Sequence, residues 1–168
     1  QEYLDLAKFF LDVRGPNGSA YSQSNKKVLD QKEAVGHAVR ATYMYTGMAD
    51  VAALTGDQRY LAAIDNIWED VVYKKLYLTG GIGAHHKDES FGDPYELPNE
   101  RSYCETCAAI SSIMFSWRML MITGEAKYAD LIERTLYNGF LAGVSLDGQR
   151  YIYANPLQVR EGHVNRGN

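Results

Sequence analysis

The chain has only two cysteines in 168 residues, and they sit three positions apart, at Cys104 and Cys107. Two thiols so close cannot staple distant segments, which excludes a disulfide-built secreted scaffold. Positive charge is short too: 17 Lys and Arg against 21 Asp and Glu leave a net charge of −4, with the basic residues scattered. A nucleic-acid binder needs a basic face, so that class drops out. No apolar run approaches the roughly 18 residues that cross a bilayer, and no hydrophobic leader opens the chain; no membrane partner is expected. Phenylalanine is scarce, five against 13 tyrosines. Tyrosine joins apolar bulk to a hydroxyl, which suits a sugar pocket and, equally, a helical core with a wet boundary. With 46% hydrophobic and 23% charged residues, the chain otherwise has the make-up of an ordinary globular protein, long enough to bury a core.

Hydrophobic periodicity predicts an all-α fold. Leu4, Leu6, Phe9, Phe10 and Val13 recur at helical spacing, and Gly15 ends that segment. A polar loop over 15–31 follows. Further helices are expected over about 32–54 with an interruption at Gly47, over 57–76, over 103–122 and over 125–142. Residues 150–153 read as a short strand, and the tail from Leu157 is polar. One internal echo stands out. Leu54-Thr55-Gly56-Asp57-Gln58-Arg59-Tyr60-Leu61 matches Ile122-Thr123-Gly124-Glu125-Ala126-Lys127-Tyr128-Ala129 in character. In each copy Gly suits the left-handed position that closes one helix, and the acid complements the N-terminal dipole of the next. Such helix pairs are αα-hairpins, and repeated hairpins build toroids or solenoids. Two copies fall short of the roughly three that make a stable array, so part of a ring is expected to be missing.

Between the hairpins lies Gly80 to Cys107, GGIGAHHKDESFGDPYELPNERSYCETC, a long stretch without clear periodicity and dense in proton-moving and metal-ligating groups. A structureless segment of this length is usually functional. Cys104-Glu105-Thr106-Cys107 lacks the strand that precedes a redox C-x-x-C, so a dithiol reading is discounted. As metal ligands these residues are half a site, because zinc normally takes four. Positions 105 and 107 converge only where a helix begins near 106 and leaves Glu105 in an extended lead-in. Two small buried thiols would account for the same residues, and chemistry alone slightly favours that. Glu89, beside Phe91 and the adjacent pair His85-His86, is a candidate general acid, since a carboxyl near an aromatic ring in a partly dry pocket holds its proton to higher pH. A solvated loop carboxylate is the plainer alternative. His85 and His86 point to different sides whatever the backbone does. His37, expected on a helix after Gly36, and Tyr153 on the short strand stay ambiguous.

Taken together, several motifs carry a resemblance. Gly80-Gly81-Ile82-Gly83, Glu89-Ser90-Phe91, Asp93-x-Tyr95-Glu96-Leu97-Pro98-Asn99 and Tyr103-x-Glu105-Thr106-Cys107-Ala108 resemble the signature of glycoside hydrolase family 127. Gly36-His37-Ala38-Val39-Arg40 and Tyr45-Thr46-Gly47-Met48-Ala49-Asp50 look like helices of that family. The resemblance implies part of an (α/α)6 barrel, built from αα-hairpins with a long central loop and a short β element near the C-terminus. It implies that residues 1–168 are a fragment of one catalytic domain, and that the parent is a retaining β-L-arabinofuranosidase with a cysteine nucleophile bound to zinc. By position Glu89 matches the acid/base, Glu105 and Cys107 match two zinc ligands, and His37 and Tyr153 match sugar contacts; Cys104 has no role. The family's other two cysteines, an adjacent pair downstream, are missing. The chain alone is therefore expected to be inactive, to hold zinc incompletely or not at all, and to pair through exposed barrel edges as a homodimer. Substrate is expected to be a small glycoside or oligosaccharide; the compartment stays open, with the cytoplasm as default. Open alternatives are a carbohydrate-binding or helical-repeat module, a sugar isomerase or hydrolase of related barrel fold, and a thiol-redox protein.

Overall fold

The computed structural model describes residues 1–158, and the polar tail from position 159 lies outside them. Five α-helices form the body: α1 (Glu2–Asp12), α2 (Ala38–Thr55), α3 (Gln58–Asp70), α4 (Thr106–Thr123) and α5 (Ala126–Arg134). The fold is all-α, with the hairpins α2–α3 and α4–α5 that the sequence echo announces.

Both hairpin turns close the same way. Gly56 at φ 72° and Gly124 at φ 71° occupy the left-handed region. Their N–H groups donate to Ala52 O at 2.9 Å and Leu120 O at 2.8 Å. Glycine enters this region without the penalty a Cβ brings. The acids that follow behave differently. Asp57 caps α3 by accepting from Arg59 N, whereas Glu125 makes no side-chain cap and pairs with Lys127 at 3.2 Å. Tyr60 and Tyr128 are fully buried anchors, Tyr128 donating to Asp65 at 3.2 Å and meeting Trp68 edge-on at 4.7 Å. Each second helix then widens into a π-helical turn, Val71–Lys75 and Thr135–Phe140.

Helices α2 and α4 lie side by side and run parallel, because their contacts advance in the same order. Thr42 donates to Ser111 at 2.5 Å, the Tyr45 and Phe115 rings are 5.6 Å apart, and Arg118 donates to Asp50 at 2.7 Å. Buried small residues on both helices, Ala38, Ala41 and Ala49 on α2 and Ala108, Ser112 and Ser116 on α4, keep the pair close. Contrary to the sequence expectation, α4 is long and apolar enough by composition to cross a bilayer. Its packing on α2 is that of a core helix. Outside the core, α1 leaves Tyr3, Leu6, Phe9 and Phe10 exposed, as is Val13 just after it.

Five expectations need correction, the first being the helix expected from 103, which begins at Thr106 because Cys104 at φ 40° and the extended Glu105 lead into it. Helix α2 begins at Ala38 rather than at 32, and His37 caps it instead of lying on it. Gly36 explains the delay. It sits at φ +70°, and a Cβ there would lie 2.1 Å from Ala20 O, so this backbone runs against the 20–21 loop and cannot be helical. Gly47 does not interrupt α2; it faces open space within a continuous helix. The last helix does not run unbroken to 142 but passes through the π turn into a 3₁₀ turn, Leu141–Gly143. The strand expected over 150–153 is only an isolated bridge between Val144 and Tyr151.

Candidate active site

The site gathers at the N-terminal ends of α2 and α4. His37 is held there by three backbone contacts. Its N–H donates to Tyr21 O at 3.1 Å, Phe91 N donates to the neighbouring Gly36 O at 2.9 Å, and His37 bridges to Ser90. The Glu89 loop thus docks directly on the lead-in to α2. Its turn is closed by mutual hydrogen bonds between His85 and Ser90 backbones, 3.1 and 3.2 Å, with Asp88 at φ 60° and Glu89 at φ 48°. Two successive non-glycine residues in the left-handed region are uncommon, and such strain gathers at functional sites. His85 fastens the loop by pairing with Glu96 at 2.8 Å, a contact that holds the Glu96 carboxyl below the usual range.

Both oxygens of Glu89 are engaged. His37 Nε2 lies 2.9 Å from Oε2, and the Tyr103 hydroxyl donates to Oε1 at 3.0 Å. His37 Nδ1 faces the Arg40 N–H at 3.5 Å, which leaves Nε2 as the nitrogen carrying the proton toward Glu89. A carboxylate on a loop is thereby fixed from the ends of two core helices.

Glu105 and Cys107 sit at the start of α4. The helix begins at Thr106 and Glu105 is its extended cap, φ −57° and ψ 139°, which is the geometry under which the two side chains converge. Glu105 is 3% exposed, and its Oε2 has no hydrogen-bond partner. The Tyr153 phenol and the Cys107 thiol both face its carboxylate. Hydrogen bonding to Glu105, then burial, pushes the Tyr153 phenol up. Burial, then Glu105, raises the Cys107 thiol. Segment 152–155 is strapped over this helix end. Thr106 N donates to Tyr153 O at 2.9 Å, and Asn155 Nδ2 donates to Cys104 O at 3.0 Å.

All five residues singled out in the sequence therefore belong to one cluster, with Tyr103 and Tyr153 linking its two ends, their rings 6.1 Å apart. Tyr103 is the residue that sequence reasoning left without a role. Cys104 between it and Glu105 takes φ 40° and sends its own side chain away, against Tyr77 and Ala84. No spacing rule discloses that turn. The adjacent histidines do point apart: His85 to Glu96, His86 to the Tyr103 ring at 4.8 Å. Among the described residues no group of three or more His, Cys, Asp or Glu side chains is placed to hold a metal.

The two thiols differ in access, which yields a first prediction. Cys104 is 3% exposed, and burial pushes its thiol up to about 12. Cys107 is partly accessible. In the native protein, with thiol release followed by absorbance, an aromatic disulfide reagent should leave Cys104 untouched while Cys107 reacts slowly. Rapid reaction of both, or their joining as a disulfide, would restore the redox reading.

The N-terminal ends of a parallel pair of core helices thus bring together a buried carboxylate, a thiol and a clamped second carboxylate. The chain belongs to glycoside hydrolase family 127: the model of the β-L-arabinofuranosidase GH127 catalytic domain matches residues 1–167. It is 39% identical over 182 residues to a non-reducing end β-L-arabinofuranosidase of Bifidobacterium longum subsp. longum, which covers 95% of this chain and 28% of that protein. Among solved structures, a GH127 β-arabinofuranosidase matches with 61% identity and a TM-score of 0.90, over 93% of this chain and 25% of that one. A GH127 β-L-arabinofuranosidase from Geobacillus stearothermophilus T6 matches with 41% identity and a TM-score of 0.91, over 94% and 28%. The chain thus spans about a quarter of the length of these relatives, and its helices are part of their (α/α) barrel.

Proposed function

We propose that this chain carries the acid/base half of the catalytic centre of a retaining glycoside hydrolase acting on β-L-arabinofuranosides. One observation carries the reading: Glu89, clamped by His37 and Tyr103, shares a cluster with the buried Glu105–Cys107 pair. Glu89 protonates the glycosidic oxygen as the bond to the aglycone breaks, then takes a proton from water as the sugar is released. His37 and Tyr153, which flank Glu89 and Glu105 in this cluster, contact the sugar.

Glu105 and Cys107 fit a zinc ion in part. A nearly inaccessible carboxylate oxygen without a partner is costly unless a cation or donor reaches it, and a thiol beside it is a natural zinc ligand. When bound, zinc keeps a coordinated thiol deprotonated at neutral pH, and that is the chemistry it would supply. Two donors are half of a four-ligand set. The remaining donors and the nucleophilic thiolate lie outside this chain, which alone turns over no glycoside.

The test is to assay the full-length protein on methyl and nitrophenyl β-L-arabinofuranosides and follow the released sugar by proton NMR. The expected outcome is hydrolysis with the β-anomer as first product. First appearance of the α-anomer would overturn the retaining mechanism, and tight sugar binding without hydrolysis would select a binding module instead.

A further inference from the structure

Glu89 is 36% exposed in its side chain and sits on a turn, yet its carboxylate is pinned at both oxygens. The two pins come from different elements. His37 is the cap of α2, and Tyr103 lies in the lead-in to α4. Removing either leaves the carboxylate hinged on a single contact, free to swing about it. A glutamate side chain has several rotatable bonds, and one hydrogen bond fixes a point but not a plane.

Tyr103 is itself well held. It is 9% exposed, its ring lies between His86 at 4.8 Å and Tyr153 at 6.1 Å, and its carbonyl accepts from Asn155 N at 3.0 Å. Tyr153 in turn faces Glu105. Contact therefore runs without a gap from Glu89 through Tyr103 and Tyr153 to Glu105 and Cys107.

We propose that Tyr103 is a positioning residue, which fixes the plane of the Glu89 carboxylate for proton transfer and ties it to the Glu105–Cys107 end of the pocket. The inference rests on the functional reading above. A carboxyl group that must donate its proton to one oxygen of the substrate and, once ionised, accept one from water works only over a narrow range of orientation. Misplacement by about 1 Å can cost on the order of 10²-fold. The role assigned to Tyr103 is exerted through its hydrogen bond to Glu89 and needs no contact with the sugar.

This makes its effect depend on the leaving group. A methyl glycoside expels a poor leaving group and needs the proton. A nitrophenyl glycoside expels a stable anion, and its first step does not. In the full-length protein, Tyr103→Phe keeps the packed ring and removes only the hydroxyl. Its kcat/KM on the methyl glycoside should fall about 10- to 100-fold, while kcat/KM on the nitrophenyl glycoside stays near wild type. The second step still needs Glu89 as base for either substrate. On the nitrophenyl glycoside kcat should therefore fall for Tyr103→Phe in the wild-type background and not fall further in the Glu89→Gln background. Equal losses of kcat/KM on both glycosides, no loss on either, or a second full loss in the Glu89→Gln background would overturn the assignment. A wild-type protein inactive on both glycosides would instead remove the functional reading, and this inference with it.

Discussion

Glu89→Gln in the full-length protein should lower turnover of a methyl β-L-arabinofuranoside by about 10²- to 10⁴-fold while leaving the fold in place. The geometry explains why the two effects separate. The carboxylate receives His37 Nε2 at 2.9 Å and the Tyr103 hydroxyl at 3.0 Å. Glutamine offers one acceptor and one donor. Its oxygen can face His37, and its amide can face Tyr103, whose hydroxyl rotates and accepts. The clamp survives and only the transferable proton is gone. On the nitrophenyl glycoside the loss should move to the second step, where no base remains to activate water. Stopped-flow absorbance should then show one rapid equivalent of nitrophenol followed by slow turnover. Near-wild-type turnover of the methyl glycoside would take Glu89 out of proton transfer.

Much of this arrangement was legible in the residues, and for identifiable reasons. The Thr-Gly-acid-x-x-Tyr echo located both hairpin turns, because a left-handed closing residue and a buried tyrosine anchor each depend on local sequence. For Glu105 and Cys107 helical geometry supplied only a condition for convergence, a start near 106, while periodicity ran the helix from 103; the helix does begin at Thr106. What local pattern could not show was set by tertiary contact. The start of α2 is displaced by Gly36 running against Ala20 and Tyr21, residues far back in the chain. The 150–153 segment has strand composition, but only the short stretch 143–145 faces it, through Ser145 N to Arg150 O and Ile152 N to Gly143 O, so it remains a bridge. Tyr103 went unassigned because its position depends on a left-handed Cys104, a conformation that non-glycine residues seldom adopt.

The same lead-in to α2 supplies the largest expected effect on stability. Asp70 and Lys75 are both almost wholly buried and lie 3.2 Å apart. Together they grip a single residue, since Asp70 accepts Ala34 N at 3.0 Å and Lys75 donates to Ala34 O at 2.7 Å. Ala34 lies three residues before His37, so this ion pair anchors the segment that carries the histidine to Glu89. Breaking one partner of a buried pair leaves a charge without compensation, at a cost of about 3–5 kcal/mol. Asp70→Asn keeps the shape and can still accept the Ala34 N–H, so its loss reports the charge itself. Urea denaturation should show a drop of that size, a large fraction of the roughly 5–15 kcal/mol that holds a typical domain. Lys75→Met should cost less, because Asp70 retains Lys74 at 3.1 Å at the edge of the solvent. The double variant, with neither charge of the buried pair remaining, should be more stable than the two separate losses would sum to. Strict additivity of those losses would mean that the two charges do not support each other. Each would then hold Ala34 on its own, Asp70 through the N–H and Lys75 through the carbonyl.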